Sequence, residues 1–356
     1  MDETTLLLKE LTEAHGVPGY EAPVRDLISK LLAPLGEVEK DKLGSLICRK
    51  QGEAEKPKVM LAAHMDEVGF MVKTITEQGF IKFLPLGGWF DQVLLAHRVI
   101  IHTHKGDIVG VIGAKPPHIL PPEERKKVVQ RKDMYIDIGA TSREEVEAAG
   151  VRPGDPIIPQ AGFEVLASGK TYLSKAFDDR VGVAMMVQAL QALQHESHPN
   201  TVYGVATVQE EVGVRGAHTS VWAVEPDVAI VLESDIAGDV PGVTEDQAAA
   251  KLGKGPSLLL YDRSMIPNLR LRDLVIETAE QEGLPLQLTH MEGGATDGAV
   301  LHLHRTGVPT VVLSVPARHI HSHSSIIHRD DYDAAVKLLV AVLKRLDAET
   351  VNNLTP

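Results

Sequence analysis

The chain of 356 residues carries a single cysteine, Cys48. One cysteine excludes an intrachain disulfide and suits a reducing compartment. It also leaves His, Asp and Glu as the side chains able to hold a metal. No apolar run approaches the roughly 18 residues that would span a bilayer. The opening stretch, MDETTLLLKELTEAHG, lacks the basic region and small-residue cleavage site of a secretory signal. It reads instead as an amphipathic helix. Positive charge is scarce: 36 Lys and Arg against 49 Asp and Glu give a net charge of −13, which disfavours a phosphate backbone as partner. The expectation is a cytoplasmic protein with neither a membrane nor a nucleic acid to bind.

What is present points to a large α/β protein with an insertion. Leu7, Leu8, Leu11 and Ala14, then Val24, Leu27, Ile28 and Leu31, recur at helical spacing, with Gly16, Pro18 and Gly19 between them. A short strand is expected at about 45–49, and the apolar run KVMLAA reads as a buried strand ending in His64. From Gly69 to about Gly162 the texture changes to short β-like runs (FMVKTI, FIKFLPL, RVIIHTH, DIVGVIG, MYIDIG) cut by Gly and Pro. One helix, 142–149, is expected there, capped by Thr141 or Ser142. Residues 115–133, rich in proline and mixed charge, read as a surface excursion. After Tyr172, strands alternate with helices at 181–194, 268–283, 298–305 and 330–347. The expected architecture is a mixed central sheet with helices on both faces, built from residues 1–69 and 163–356. A β-rich, barrel-like module of residues 70–162 is inserted into it.

Chemistry-bearing clusters follow the predicted strands, where open α/β sheets place their ligands. His64 and Asp66 lie two apart on an extended chain, so Asp66 is placed to orient a metal-binding imidazole, although the pair also reads as an ordinary polar turn. Asp178 and Asp179 precede a helix, where carboxylates also serve as caps. Glu210 and Glu211 directly follow an apolar strand; buried there, they need a partner or a metal. His319, His321 and His323 alternate after another strand, and Glu233 and Asp235 end a fifth. With 16 histidines in the chain, a single one is weak evidence, and His302, His304 and His328 read as packing or surface residues. Together, the clusters supply His, Asp and Glu donors without cysteine. That set suits two borderline-hard divalent ions sharing a carboxylate.

These stretches resemble the TET-type dinuclear metallo-aminopeptidases, which include glutamyl aminopeptidases and relatives that carry the name endoglucanase. The matching motifs are HMDEVG from His64, KAFDDR from Lys175, QEEVG from Gln209, IAGDVPG from Ile236, GGATDG from Gly293 and VPARHIHS from Val315. The likeness runs nearly end to end. It implies that His64 binds one metal and His321 the other, that Asp178 bridges both, and that Glu211 and Glu233 are terminal ligands, with Asp235 open as an alternative to Glu233. It implies Glu210 as general base toward a metal-bridged water, Asp66 as the residue orienting His64, and Thr296 and Asp297 as substrate contacts. His319 stands where the family usually has a tyrosine. The implied metals are two divalent ions per subunit, zinc first, cobalt or manganese otherwise. The implied substrates are short peptides, the insert becomes a dimerisation domain, and dimers assemble into a dodecamer. Three other readings exist: a deacylase on the same centre, a glycoside hydrolase using paired carboxylates, and a peptide-binding protein with a relic site.

Overall fold

The structure is a computed structural model that describes residues 1–355. Four parallel strands form its centre, in the spatial order Thr201–Thr207, Lys58–His64, Val228–Ile236, Thr310–Arg318. Antiparallel strands extend this core on both sides: Leu46–Lys50 and Glu37–Lys40 at one edge, Ser325–His328, Thr171–Ser174 and Glu164–Val165 at the other. The result is a mixed sheet, as the sequence implies. Side chains of successive strand residues point to opposite faces, so Val59, Leu61 and Ala63 enter one apolar core while Met60 and Ala62 enter a second. Both faces of the strand are therefore covered, which is why it reads as an unbroken apolar run.

The helix Phe177–Ala192 lies in the larger core and is buried along nearly its whole length. Glu3–Glu13 and Arg329–Arg345 pack against it. Arg215–Val224 contributes Ala217, Val221 and Val224 to the opposite core. Among the described residues, no helix is long and apolar enough to cross a membrane.

Between Gly69 and Pro159 six strands close into an antiparallel barrel: Gly69–Ile75, Ile81–Leu86, Tyr135–Asp137, Gly106–Gly113, Arg98–Thr103 and Pro156–Pro159. Phe70, Val72, Ile81, Val99, Ile101, Ile136 and Ile157 fill it. The helix expected at 142–149 spans Arg143–Ala148, with Ser142 Oγ accepting from the Glu145 amide. Residues 115–133 are mostly exposed and hold only short turns of helix, including Pro122–Arg125. The helix read at 298–305 stops at Leu301. Arg305 adopts φ 53° and Gly307 φ 104°, a left-handed backbone that no α-helix continues through. Strand Ser257–Asp262, absent from the sequence reading, pairs with both Thr310–Arg318 and Gln287–Met291.

Candidate metal centre

The register of the parallel strands brings the clusters together. Thr207 pairs with His64, and Val231 with Ala62, so His64 and Glu233 fall on one row at the carboxyl ends. His64 is buried, with Nε2 3.1 Å from Asp178 Oδ1 and Nδ1 3.1 Å from the Asp66 carbonyl oxygen. Asp178 is at the irregular start of its helix: Ala176 has φ 58°, and Asp178 itself is non-helical at φ −82°, ψ 105°. This break lets adjacent carboxylates do different work. Asp178 faces the cavity. Asp179 turns under the strand, where Oδ2 accepts from the His64 amide at 3.1 Å and Oδ1 from the Gly182 amide at 3.0 Å. A side chain at position 182 would place Cβ 2.5 Å from Asp179 Oδ1 and 2.6 Å from the Leu232 carbonyl oxygen, so this turn of helix requires glycine.

The other end of Asp178 meets the second histidine: Oδ2 is 3.2 Å from His321 Nε2. Glu211 Oε1 stands 3.5 Å from the same nitrogen. His321 Nδ1 donates to the Gly88 carbonyl at 2.7 Å, which fixes the tautomer that leaves Nε2 free. Gly88 belongs to the loop after barrel strand Ile81–Leu86, so the insert closes one side of the centre. Gln209, His319 and His321 all have positive φ, at 57°, 59° and 54°. Strained backbone of this kind concentrates at functional sites.

Asp66 has a different position from the one its sequence motif suggests. Its carboxylate is 3.6 Å from His64 Nδ1, beyond a good hydrogen bond. It accepts instead from the backbone amides of Glu210 and Glu211, at 3.0 and 3.1 Å. Asp66 thus pins the two glutamates, and its carbonyl orients the imidazole. Glu233 Oε1 lies 3.8 Å from His64 Nε2, and Glu210 Oε2 lies 4.0 Å away. Asp235 is occupied elsewhere, accepting from Ser257 Oγ at 2.7 Å and Thr289 Oγ1 at 2.8 Å. Thr296 lines the cavity, whereas Asp297 is turned inward onto Thr207 Oγ1 at 2.5 Å.

Electrostatics expose an unmet need for positive charge. Burial raises Glu210 and Glu233 well above the usual carboxylate range and pushes Glu211 up to about 8. Burial disfavours a charged His321, but the Asp178 hydrogen bond and the Glu211 charge push it up to about 10. Glu211 Oε1 is buried without a hydrogen-bond partner. The nearby cations are committed: Lys175 Nζ lies 2.5 and 2.7 Å from the Glu67 oxygens, and Arg180 Nη1 donates to the Leu11 and Ala14 carbonyls. Crowded carboxylates with imidazoles and no other cation are the donor set of a hard-to-borderline divalent ion. Two groups have ligand atoms within 4.8 Å of one another, His64–Asp178–Glu211 and His64–Asp179–Glu233. The residues fit a metal.

The centre forms one wall of a cavity of about 850 Å³, bordered by residues 246–250 and 289–296. His323, beside the ligand candidates in sequence, is buried and stacked on His97 at 4.0 Å, and burial drives it down to about 3. His302 pairs with the Gly298 carbonyl, His304 meets the Trp222 ring edge-on, and His328 caps a helix. Gly88 and the Glu67–Lys175–Arg180 cluster were not legible as parts of the site. The Gly-Gly pair at 87–88 is the one sequence hint of a close approach.

Comparison with known proteins finds relatives along nearly the whole chain. The family model for M42 glutamyl aminopeptidases matches residues 44–338, and a model described as AMPT matches residues 2–27. The TET aminopeptidase of Thaumarchaeota archaeon SCGC AB-539-E09 is 50% identical, with TM-score 0.98 over 99% of each chain. The glutamyl aminopeptidase of Lactococcus lactis subsp. cremoris MG1363 is 35% identical over 97% of each sequence. The Pyrococcus horikoshii TET1 peptidase, which can assemble into a tetrahedron or a large octahedral shell, is 34% identical with TM-score 0.86, covering 97% of this chain and 100% of that one. The chain belongs to the M42 glutamyl aminopeptidase family. It is a metal-dependent aminopeptidase, a hydrolase of peptide bonds.

Proposed function

We propose that the protein removes N-terminal residues from short peptides at a dinuclear centre, with zinc, or alternatively cobalt or manganese, as the ions. One observation carries this reading: Asp178 spans two imidazoles, Oδ1 at 3.1 Å from His64 and Oδ2 at 3.2 Å from His321. In it Asp178 is the shared ligand, His64 and Glu233 complete one site, and His321 and Glu211 complete the other. Bound ions of this kind bring the pKa of a water toward about 7 and polarise a carbonyl.

Glu210 is the proposed general base. It borders the cavity, and burial raises its carboxyl, so it holds a proton near neutral pH more readily than an exposed glutamate. Its Oε takes the proton of the attacking water and returns it to the leaving amine. Asp66 keeps it in place through the backbone. Thr296 contacts the substrate from the cavity wall, and Asp297 supports that wall from behind. No lysine or arginine is among the described residues lining the cavity, whereas Asp246 and Glu292 stand on its rim. A neutral or basic N-terminal side chain therefore fits better than an acidic one, despite the family's name.

Residues 1–69 and 163–356 form the proposed catalytic domain, and 70–162 the dimerisation domain, with dimers building a dodecamer. The tetrahedral and octahedral assemblies of the P. horikoshii relative support self-association of this kind. A cytoplasmic location agrees with the single, buried Cys48. Glu210→Gln tests the assignment of the base. It is expected to retain metal by elemental analysis while kcat falls about 10²–10⁴-fold; near-normal turnover would remove Glu210 from that role.

A further inference from the structure

A second constellation of donors lies away from the catalytic cavity, at the junction between barrel and α/β body. His102 and Asp107 are cross-strand partners in the hairpin formed by Arg98–Thr103 and Gly106–Gly113. Their side chains meet, with His102 Nδ1 2.6 Å from Asp107 Oδ1. His15 approaches from the body, just beyond the C-terminus of helix Glu3–Glu13. Its Nδ1 is 4.0 Å from Asp107 Oδ2. Each residue offers one ligand atom, and the three atoms lie within 4.8 Å of one another.

We propose that His15, His102 and Asp107 form a further divalent-cation site, of the class filled by zinc, nickel or copper, that clamps the barrel hairpin to the body. Two imidazoles and a carboxylate are a borderline-metal donor set, and water can complete the coordination. The framework is favourable. Two donors are held on paired strands with a tight turn, Thr103 Oγ1 donating to the Gly106 carbonyl at 2.8 Å. The side chains of His102 and Asp107 are 53% and 46% exposed and that of His15 is 26% exposed. The outer two can therefore move the short distance that replaces their mutual hydrogen bond with a shared ion. Burial, and next to it the Lys175 charge, lowers His15 below the ordinary imidazole value, so it is available as a neutral donor at pH 7. Lys175 does not occupy the site, being paired with Glu67. No residue of the catalytic centre takes part.

The test is metal counting on the full chain equilibrated with Zn²⁺ alone, comparing the parent with His102→Ala and His15→Ala. Each variant is expected to bind one equivalent fewer than the parent and to keep the parent's peptidase activity. The double variant His64→Ala/His321→Ala is expected to keep the equivalent that His102→Ala loses. Zinc is also expected to raise Tm by less in His102→Ala than in the parent. Equal zinc content in the parent and both single variants would overturn the proposal. So would loss of the equivalent in His64→Ala/His321→Ala with none lost in His102→Ala.

Discussion

At the scale of the residue, the centre depends on which oxygen meets which partner. The sequence leaves Glu233 and Asp235 open as ligands because both lie on the same side of an extended strand. Their partners separate them: Glu233 faces His64, while Asp235 accepts hydrogen bonds from Ser257 and Thr289. Glu233→Gln is therefore expected to lower metal content. Asp235→Asn is expected to keep it, as read by elemental analysis after dialysis; the reverse pattern would exchange their roles. Asp66→Ala removes the acceptor of the Glu210 and Glu211 amides. A loss of about 10–100-fold in metal affinity or activity is expected, typical of outer-shell partners, measured by zinc titration and steady-state rates. The residue types and their chain order were legible, because each sits in a short motif after a strand. The position of Asp66 and the Gly88 carbonyl were not. A backbone contact between residues 233 positions apart has no signature in side-chain chemistry.

At the scale of the element, helix Phe177–Ala192 is where stability and site meet. Its first turn carries Asp178 and Asp179, and Arg180 follows, fully buried. Arg180 and Lys175 share Glu67, whose side chain is 1% exposed, and Arg180 also binds the carbonyls ending the first helix. Removing one member of such a cluster strands buried charge. Glu67→Ala is expected to cost about 3–5 kcal/mol, seen as a lower denaturant midpoint at unchanged slope. A cost below about 1 kcal/mol would mean that the charges find other partners. Most elements were legible from period and punctuation: the central strands as continuous apolar runs, the barrel strands as short runs between turns. Ser257–Asp262 and Ser325–His328 were not: both are short, the second runs directly into the helix that begins at Arg329, and neither carries a regular alternation of apolar and polar residues. The helix at 298 reads longer than it is because its apolar spacing continues to Leu303, beyond the end of the helix at Leu301.

At the scale of the whole molecule, the buried charges make stability depend on pH and metal together. Burial lifts Glu211 from an ordinary 4.5 to about 8. Burial opposes the charge on His321, yet Asp178 and Glu211 lift it from 6.5 to about 10. Both groups hold protons in the folded protein that the unfolded chain has released, the first between about pH 4.5 and 8, the second between about 6.5 and 10. Stability of the metal-free protein should therefore fall as pH rises across these windows. Bound metal replaces those protons and binds more tightly as they leave, so Tm in excess zinc should hold or rise between pH 5 and 8. Thermal melts at several pH values, with chelator and with zinc, check this; parallel curves would contradict it. The architecture of a layered α/β body with a barrel insert was legible from the change of texture near Gly69. The closeness of the barrel loop to His321 was not, since it depends on how the two parts dock.

Everything above converges on a metal centre that acts on peptides with a free N-terminus. The most direct test follows hydrolysis of aminoacyl-p-nitroanilides with neutral, basic and acidic side chains, each paired with its N-acetylated form. The protein is assayed after chelation and again with Zn, Co or Mn restored. No activity is expected after chelation, with recovery on metal addition for the free-amine substrates alone and the slowest rates on the acidic ones. Cleavage of the acetylated forms, or activity indifferent to chelation, would contradict this reading.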